Sequence, residues 1–248
     1  MRPDVTLQVA RMCATRLSGQ PGPFRFRYTQ RVFREAALDA QASAREVTQI
    51  GVECIGEQGP AADAEVVSLL AEALRISGVG AFTLSIATVG VLRSLLDRSG
   101  APAAWRRAVL DAYHASDFVE LDRLTALDGA AGVDVSGIAP AYAEAVRNLA
   151  RTRGRREAID AVRAMVAPLG CTDGLDDLER TYDALVAEGL EDRIVVDFSV
   201  MSSFDYYTGI VFEAYSPYGG AALGSGGRYD RMIGAYGTDR PAAGFAFS

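Results

Sequence analysis

The sequence predicts an α+β fold in which a mixed, mainly antiparallel sheet is flanked by helices and carries a helical insertion. Three observations support this class. Two strand-like segments near the N-terminus are separated by a small-residue loop, which is typical of a long antiparallel hairpin. Residues from about 101 to 189 show helical periodicity without a good strand. Strand patterns return only after that block, and this segregation favours an antiparallel sheet over a doubly wound parallel one.

The first hundred residues contain the predicted hairpin and the helices around it. Apolar residues at helical spacing predict an amphipathic first helix, which the cluster GQPGP ends. The segment FRFRYTQ then alternates as a half-buried strand does. In chain order, the patterns predict a helix over 5–17, strands over 24–35 and 46–56, a helix over 61–77, a strand over 82–91 and a helix over 91–100.

The rest of the chain begins with the helical block. We expect helices over 105–127, 142–154, 156–170 and 175–189, followed by strands over 193–200, 206–216, 219–230 and 241–248. The sequence therefore predicts a discontinuous core of residues 1–100 and 190–248 around a helical insertion of residues 101–189. Both ends look cut, so we expect the core to be part of a longer protein.

Composition limits the classes of function. The net charge is −7 and all 25 basic residues are arginine, so a nucleic-acid partner is not expected. The lack of lysine excludes Schiff-base catalysis and a P-loop. No apolar run is long enough to cross a membrane and the N-terminus lacks a signal-peptide pattern, so we expect a cytoplasmic protein. Three widely spaced cysteines and one histidine indicate no metal site.

A first group of candidate site residues lies on the predicted hairpin. Gln49 and Glu53 are four residues apart in a strand and therefore project from the same face. A carboxylate and an amide on one face suit an ammonium group and a polar ring, and Arg34 on the paired strand could hold a carboxylate. The alternative is a sheet face open to water, where these side chains are simply solvated. Spacing alone favours that alternative.

A second group surrounds the glycine-rich stretch GGAALGSGGRYD at 219–230. This stretch has neither a GK[ST] motif nor a GxGxxG that opens a helix, so it is a poor phosphate loop. Its glycines more plausibly let a ligand or a neighbouring backbone approach the sheet. Tyr206, Tyr207 and Tyr229 offer hydroxyls and ring faces beside it, although aromatic residues in strands usually belong to the core.

Seven motifs in a fixed order resemble the core of the class II aminoacyl-tRNA synthetases, specifically the histidyl branch. They are RPDVT, FRE, QIGVE, the helix start DAEV, DYYTGIVFEAY, GSGGRYD and PAAGFAFS, with a helical insertion before the fifth. Together they span nearly the whole chain. The resemblance implies a class II synthetase-like sheet and a homodimeric core.

The resemblance also implies a histidine pocket. By the family pattern, Asp4 and Thr6 would hold the ammonium group of the amino acid, and Gln49 and Glu53 would complete that end. Arg34 would contact the carboxylate. The other pocket positions implied are Tyr206, Tyr207, Gly227 and Tyr229. Because the register of Gln49 and Glu53 agrees with the other motifs, the site interpretation now outweighs the solvated face.

Departures from the family pattern imply that the activation chemistry is lost. The enzymes carry an arginine in RGLDYY that stabilises charge on the α-phosphate, whereas SSFDYY places Ser202 at that position. Losing such a preorganised cation typically removes about 3–4 kcal/mol of transition-state stabilisation. Ala36 replaces the glutamate of FRxE, and the loop that follows keeps only Arg45. We therefore expect no catalytic residue and no cofactor.

A histidine pocket without activation chemistry resembles the regulatory subunits of ATP phosphoribosyltransferase, which are paralogues of these synthetases. That resemblance implies L-histidine as a feedback effector and the short-form catalytic subunit as a partner, with a homodimer inside a hetero-oligomer. Two alternatives remain. One is a divergent histidyl-tRNA synthetase fragment that activates histidine with ATP, and the other is a class II paralogue with a different ligand.

Overall fold

The computed structural model describes residues 4–33, 46–129, 131–200 and 206–247. Eight helices and eight strands lie in these residues, which confirms the predicted α+β class. The helices are α1 (Thr6–Thr15), α2 (Pro60–Ile76), α3 (Val89–Arg98), α4 (Ala103–His114), α5 (Phe118–Thr125), α6 (Pro140–Leu149), α7 (Arg156–Val166) and α8 (Leu175–Ala187). The strands are β1 (Phe24–Phe33), β2 (Glu46–Ile55), β3 (Thr83–Thr88), β4 (Arg153–Gly154), β5 (Ile194–Asp197), β6 (Ile210–Tyr215), β7 (Ala222–Arg228) and β8 (Ala242–Phe247).

The residues group into two compact units, Met1–Phe82 with Glu213–Ser248 and Thr83–Phe212. In the first unit, four strands are hydrogen-bonded in the order β1-β2-β8-β7, and each neighbouring pair is antiparallel. The hairpin register runs from Phe24 opposite Ile55 to Phe33 opposite Glu46, which gives the antiparallel pairing that the sequence predicts. The division into a core of 1–100 and 190–248 with an insertion of 101–189 stays a prediction.

Helix α2 packs on one face of this sheet, and its position distinguishes the two faces. It follows Gly59, whose φ is 84°, and begins at Pro60, a residue preorganised for the first helical turn. Its inward side chains, including Val66 and Leu70, are fully buried, and each contributes about 1.5–3 kcal/mol of burial free energy. Ile50 and Val52 of β2 line one groove with the α2 side chains. Since side chains alternate along a strand, the odd-numbered residues of β2 project from the opposite face.

The second unit contains the helices α3 to α8, the strands β3, β4 and β5, and the first three residues of β6. β3 and β5 pair in parallel, and the two residues of β4 pair antiparallel to β5. β4 therefore places a short strand inside the block for which the sequence predicts only helices. The core of this block includes Trp105, which is fully buried and whose indole nitrogen donates to the Leu124 carbonyl at 2.9 Å.

Two predicted elements differ from the structure for local reasons. Residues 105–127 form two helices instead of one, because Ser116 has a φ of 52°, in the left-handed region that a helix does not continue through. The Asp117 carboxylate then accepts from the Glu120 amide at 2.9 Å and begins α5. Residues 89–91 start α3 and do not extend β3, because the Thr88 hydroxyl caps the Gly90 amide at 3.3 Å. Within the described ranges, no helix has the length and apolar character needed to cross a membrane.

Candidate functional site

The candidate site lies in the first unit, on the sheet face that looks away from α2. The side chains of Gln49 and Glu53 project from this face of β2, and Gly51 lies between them on the same face. Helix α1 contacts the same strand. We call the group of polar side chains gathered here the Glu53 cluster. Its members are Asp4, Thr6, Tyr28, Gln49, Glu53 and Tyr229.

Glu53 is the centre of the cluster. Its side chain is 1% exposed, so the carboxyl group lies in the protein interior. The Thr6 hydroxyl donates to Oε1 at 2.7 Å and the Tyr28 hydroxyl lies 3.5 Å from the same oxygen. The Tyr229 hydroxyl donates to Oε2. Within the described ranges, every hydrogen-bond partner of this carboxyl group is a neutral hydroxyl, and none is a cation.

Asp4 and Gln49 form the second half of the cluster. The Gln49 amide nitrogen donates to Asp4 Oδ1 at 3.1 Å, and the Gln49 oxygen accepts from the Val5 amide at 3.2 Å. Asp4 Oδ1 also accepts from the Thr6 amide at 3.3 Å, at the start of α1. These bonds fix the orientation of both side chains. The second oxygen, Asp4 Oδ2, accepts no hydrogen bond from any described residue.

Two glycines make room for the cluster on the sheet. Gly244 of β8 lies directly opposite Glu53, and a Cβ atom there would overlap Glu53 Oε2. Gly51 lies opposite Tyr28, and a Cβ atom there would overlap the Tyr28 ring. The two polar side chains can therefore lie across the neighbouring strands only because these positions lack a side chain.

The environment favours the protonated form of Glu53. Burial raises the pKa of Glu53 to about 8, while the hydroxyl bonds from Tyr229 and Thr6 act in the opposite direction. The charge of Asp4 adds to the rise. Burial also raises the pKa of the Tyr28 hydroxyl, and the neighbouring Glu53 adds to that effect. The cluster is thus a buried acceptor site that lacks positive charge, and a cationic group placed beside it would favour the ionised form of Glu53.

Most of the residues predicted for the pocket meet in this unit. Asp4, Thr6, Gln49, Glu53 and Tyr229 are linked by the hydrogen bonds above. Gly227 is buried on β7 opposite Gly244, and so completes a row of two glycines beside Glu53.

The other residues predicted for the site belong to the second unit or lie outside the described residues. Tyr206 and Tyr207 belong to the second unit, where their rings lie 4.6 Å apart and Tyr207 is 5% exposed. Arg34, Ala36, Arg45 and Ser202 lie outside the described residues. The roles of these six residues stay predictions.

The sequence patterns did not indicate Tyr28, Gly51 and Gly244 as members of the site. A signal was present, because Tyr28 occupies the alternating stretch of β1 and the QIGVE motif places a glycine between the two polar residues of β2. Only the hairpin register shows that this glycine lies opposite the tyrosine. Gly244 requires the register between β2 and β8, which joins segments almost 200 residues apart and which periodicity does not encode.

A group of potential metal ligands lies on the other face of the same strands. Cys54, Glu57 and Glu65 bring ligand atoms within 4.8 Å of one another. The Arg25 guanidinium already bonds both carboxylates, at 2.6 Å to Glu57 and 2.6 Å to Glu65. Burial raises the pKa of the Cys54 thiol to about 11, which disfavours the thiolate that a metal requires. The group is therefore an ion-pair cluster around an arginine.

Comparisons with known proteins show which family the chain resembles. The profile of the histidyl-tRNA synthetase family matches residues 1–248. An ATP phosphoribosyltransferase regulatory subunit from Desulforamulus reducens is 34% identical over 99% of this chain, which spans 59% of that relative. One from Moorella thermoacetica is 35% identical, with 99% of this chain and 61% of the relative covered. The chain thus spans about three fifths of the length of these relatives.

Solved structures share the fold. A structure from Bacillus halodurans, described as an ATP phosphoribosyltransferase regulatory subunit/histidyl-tRNA synthetase, is 28% identical with a TM-score of 0.86 and covers 99% of this chain and 62% of its own. The family profile, which matches residues 1–248, includes every residue of the Glu53 cluster. On the family match over its full length, the chain belongs to the histidyl-tRNA synthetase family.

Proposed function

We propose that this chain is the synthetase-like core of an ATP phosphoribosyltransferase regulatory subunit, and that it binds L-histidine as a feedback effector through the Glu53 cluster. The observation that carries the proposal is a buried carboxyl group, 1% exposed, whose partners among the described residues are all hydroxyls. Such a group has no cationic partner among the described residues, and the ammonium or imidazole group of an amino acid can supply a cation or a donor.

Histidine has polar groups that match this site. Asp4 Oδ2 is an acceptor at the N-terminal end of α1, and hydrogen bonds from Gln49 and the Thr6 amide hold Asp4 in place. An ammonium group beside Asp4 would form a charge-assisted hydrogen bond. Glu53 and the hydroxyls of Tyr28 and Tyr229 can then form hydrogen bonds with the imidazole ring, which has one donor and one acceptor nitrogen. Tyr206, Tyr207 and Arg34 remain proposed members of the same pocket.

The regulatory role is supported by the relatives and by the sequence. Curated relatives that are about a third identical to this chain over the aligned residues are ATP phosphoribosyltransferase regulatory subunits. Ser202 stands where the synthetases carry the arginine that acts on the α-phosphate. We therefore propose that the chain does not activate histidine. Histidine would regulate by binding with different affinity to two states of an assembly with the short-form catalytic subunit.

The wider setting follows from the same proposal. The functional form would be a homodimer within a hetero-oligomer in the cytoplasm, and residues 101–189 would form an insertion between the two parts of the core. Native mass spectrometry of the chain, alone and with the short-form catalytic subunit, tests the assembly. A chain that stays monomeric and does not bind the catalytic subunit would contradict the proposed assembly.

Isothermal titration calorimetry with L-histidine, together with histidine-dependent ATP–pyrophosphate exchange, tests the site and the lost chemistry. We expect binding to the wild-type chain, at least about tenfold weaker binding to Glu53→Gln, and no exchange. The matched control is Asp97→Asn, which alters a carboxylate that is 75% exposed in the second unit. A folded wild-type chain that binds no histidine would overturn the effector proposal.

The family match favours one second candidate, a divergent histidyl-tRNA synthetase fragment. Its distinguishing feature is activation of histidine by ATP. Exchange above background would support this candidate and would mean that another residue replaces the missing arginine. Histidine binding without exchange would support the regulatory subunit.

A further inference from the structure

A buried ion pair lies on the α2 side of the sheet, behind the Glu53 cluster. Arg228, the last residue of β7, is 6% exposed, and Asp63 in the first turn of α2 is 1% exposed. The Arg228 Nε atom donates to Asp63 Oδ1 at 2.8 Å, and Nη2 lies 2.6 Å from the same oxygen. Burying both charges costs desolvation free energy, and separating them would leave each charge buried without a partner, so the two side chains stay together.

The same guanidinium also bonds the chain around it. Nη1 donates to Asp230 Oδ1 at 2.9 Å and to the Glu57 carbonyl at 3.2 Å. Nη2 donates to the Gly59 carbonyl at 3.4 Å. Arg228 therefore ties the end of β7 to the segment that leads into α2.

Tyr229 lies between the two residues that this network holds. Its own amide donates to the Ala242 carbonyl at 2.7 Å, and Asp230 Oδ1 accepts from the Ala242 amide at 3.0 Å. Arg228 and Asp230 thus point toward α2, whereas the Tyr229 side chain points through to the other face and donates to Glu53. The backbone of residue 229 is consequently fixed from both sides by groups outside the pocket.

We propose that Arg228 and Asp63 are positioning residues, whose buried ion pair holds the main chain that carries Tyr229 and thereby sets the contact between the Tyr229 hydroxyl and Glu53. Hydrogen-bond strength falls steeply with distance and angle, so a small shift of residue 229 is enough to weaken that contact. The simpler interpretation is an ion pair that only stabilises the fold. The two interpretations differ in whether changes at Asp63 reach the Tyr229 hydroxyl.

Fluorine NMR tests the inference without any ligand. The chain is labelled with 3-fluorotyrosine, and the resonance of Tyr229 among the ten tyrosines is assigned with Tyr229→Phe. We expect Asp63→Asn to shift or broaden this resonance, and the exposed Asp97→Asn to leave it unchanged. An unchanged Tyr229 resonance in a folded Asp63→Asn chain would overturn the inference. If Asp63→Asn does not fold, Asp230→Asn replaces it, because Asp230 is half-buried and bonds the same guanidinium.

A double-mutant cycle on histidine binding gives the second test, which rests on the proposed function. We expect Asp63→Asn and Tyr229→Phe each to weaken binding about tenfold, and the double variant to bind about as weakly as Tyr229→Phe alone. Losses that multiply to about a hundredfold would mean that Asp63 acts independently of the Tyr229 hydroxyl, which contradicts the positioning role. If the wild-type chain binds no histidine, the proposed effector fails, while the NMR result still decides the positioning of Tyr229.

Discussion

Glu53 of β2 lies directly opposite Gly244 of β8, and a Cβ atom at residue 244 would occupy the position of the Glu53 carboxylate. The carboxyl group therefore extends over a strand that has no side chain at that point. Close cross-strand approach of this kind is one of the few roles that only glycine can perform in a sheet. Several properties of the candidate site depend on this contact.

Gly244→Ala should displace the Glu53 side chain. The new methyl group would also lie 2.6 Å from the Val52 carbonyl, so a side-chain rotation alone cannot relieve the clash. We expect a loss of about 1–3 kcal/mol in the free energy of unfolding, which is typical of overpacking, and at least tenfold weaker histidine binding. Urea denaturation and calorimetry measure the two effects. Gly219→Ala is the matched control, since nothing lies within 4 Å of its Cβ position.

Glu53→Gln should change how stability depends on pH. Because burial raises the pKa of Glu53 to about 8 from its usual 4.5, the folded chain keeps a proton that the unfolded chain loses within that window. The free energy of unfolding of the wild type therefore falls as pH rises between these values, and the variant lacks this fall.

Denaturation at pH 5 and pH 9 checks this expectation. The stability of Glu53→Gln relative to wild type should rise by at least about 2 kcal/mol over the interval. The exposed Glu191→Gln should show no such change, because its side chain is 58% exposed. Parallel curves for wild type and Glu53→Gln would mean that Glu53 ionises normally in the folded chain.

Thr6→Val should isolate one of the hydroxyls that bond Glu53. Thr6 is 7% exposed and donates to Oε1 at 2.7 Å, so valine removes the donor and keeps the shape. We expect a loss of about 1 kcal/mol of stability at pH 9, where Glu53 is ionised, and a smaller loss at pH 5. The pKa of Glu53 should rise further, because the Thr6 bond lowers it. Thr6→Ser should restore both properties, and equal losses at the two pH values would argue against a bond to the ionised group.

The sequence predicted the parts of this site that depend on local pattern. Strand alternation alone puts Gln49 and Glu53 on one face, and the structure bonds both to the start of α1 as the motif order implies. The hairpin was predictable for the same reason, since alternation and an intervening loop are encoded within about thirty residues.

The rest depends on contacts between distant segments. Tyr28 joins the cluster through the cross-strand register, and Gly244 through a strand pair that joins segments almost 200 residues apart. The break at Ser116 was missed because one left-handed residue leaves the apolar periodicity of the flanking helices unchanged. The buried Arg228–Asp63 pair joins residues 165 positions apart, and no spacing rule in a single sequence relates them.

Histidine binding should release a proton from Glu53. At pH 7 a pKa of about 8 leaves this carboxyl group mostly protonated, and a bound cation or donor would favour the ionised form. The groups that face it are the hydroxyls of Thr6, Tyr28 and Tyr229 and the carboxylate of Asp4, with the Cys13 thiol of α1 nearby. Burial raises the pKa values of the Tyr28 hydroxyl and the Cys13 thiol, away from pH 7.

Calorimetry in buffers of low and high ionisation enthalpy measures the number of protons released. The binding enthalpy of the wild type at pH 7 should change with the ionisation enthalpy of the buffer, because the buffer takes up the released proton. The slope of this dependence should correspond to a large fraction of one proton. Glu53→Gln should still show weak binding at high histidine concentration, and its enthalpy should no longer carry this contribution from residue 53. Asp97→Asn should behave as the wild type does. If the wild type and Glu53→Gln release the same number of protons, the ionisation of Glu53 is not coupled to binding, and the ligand would then contact other members of the cluster.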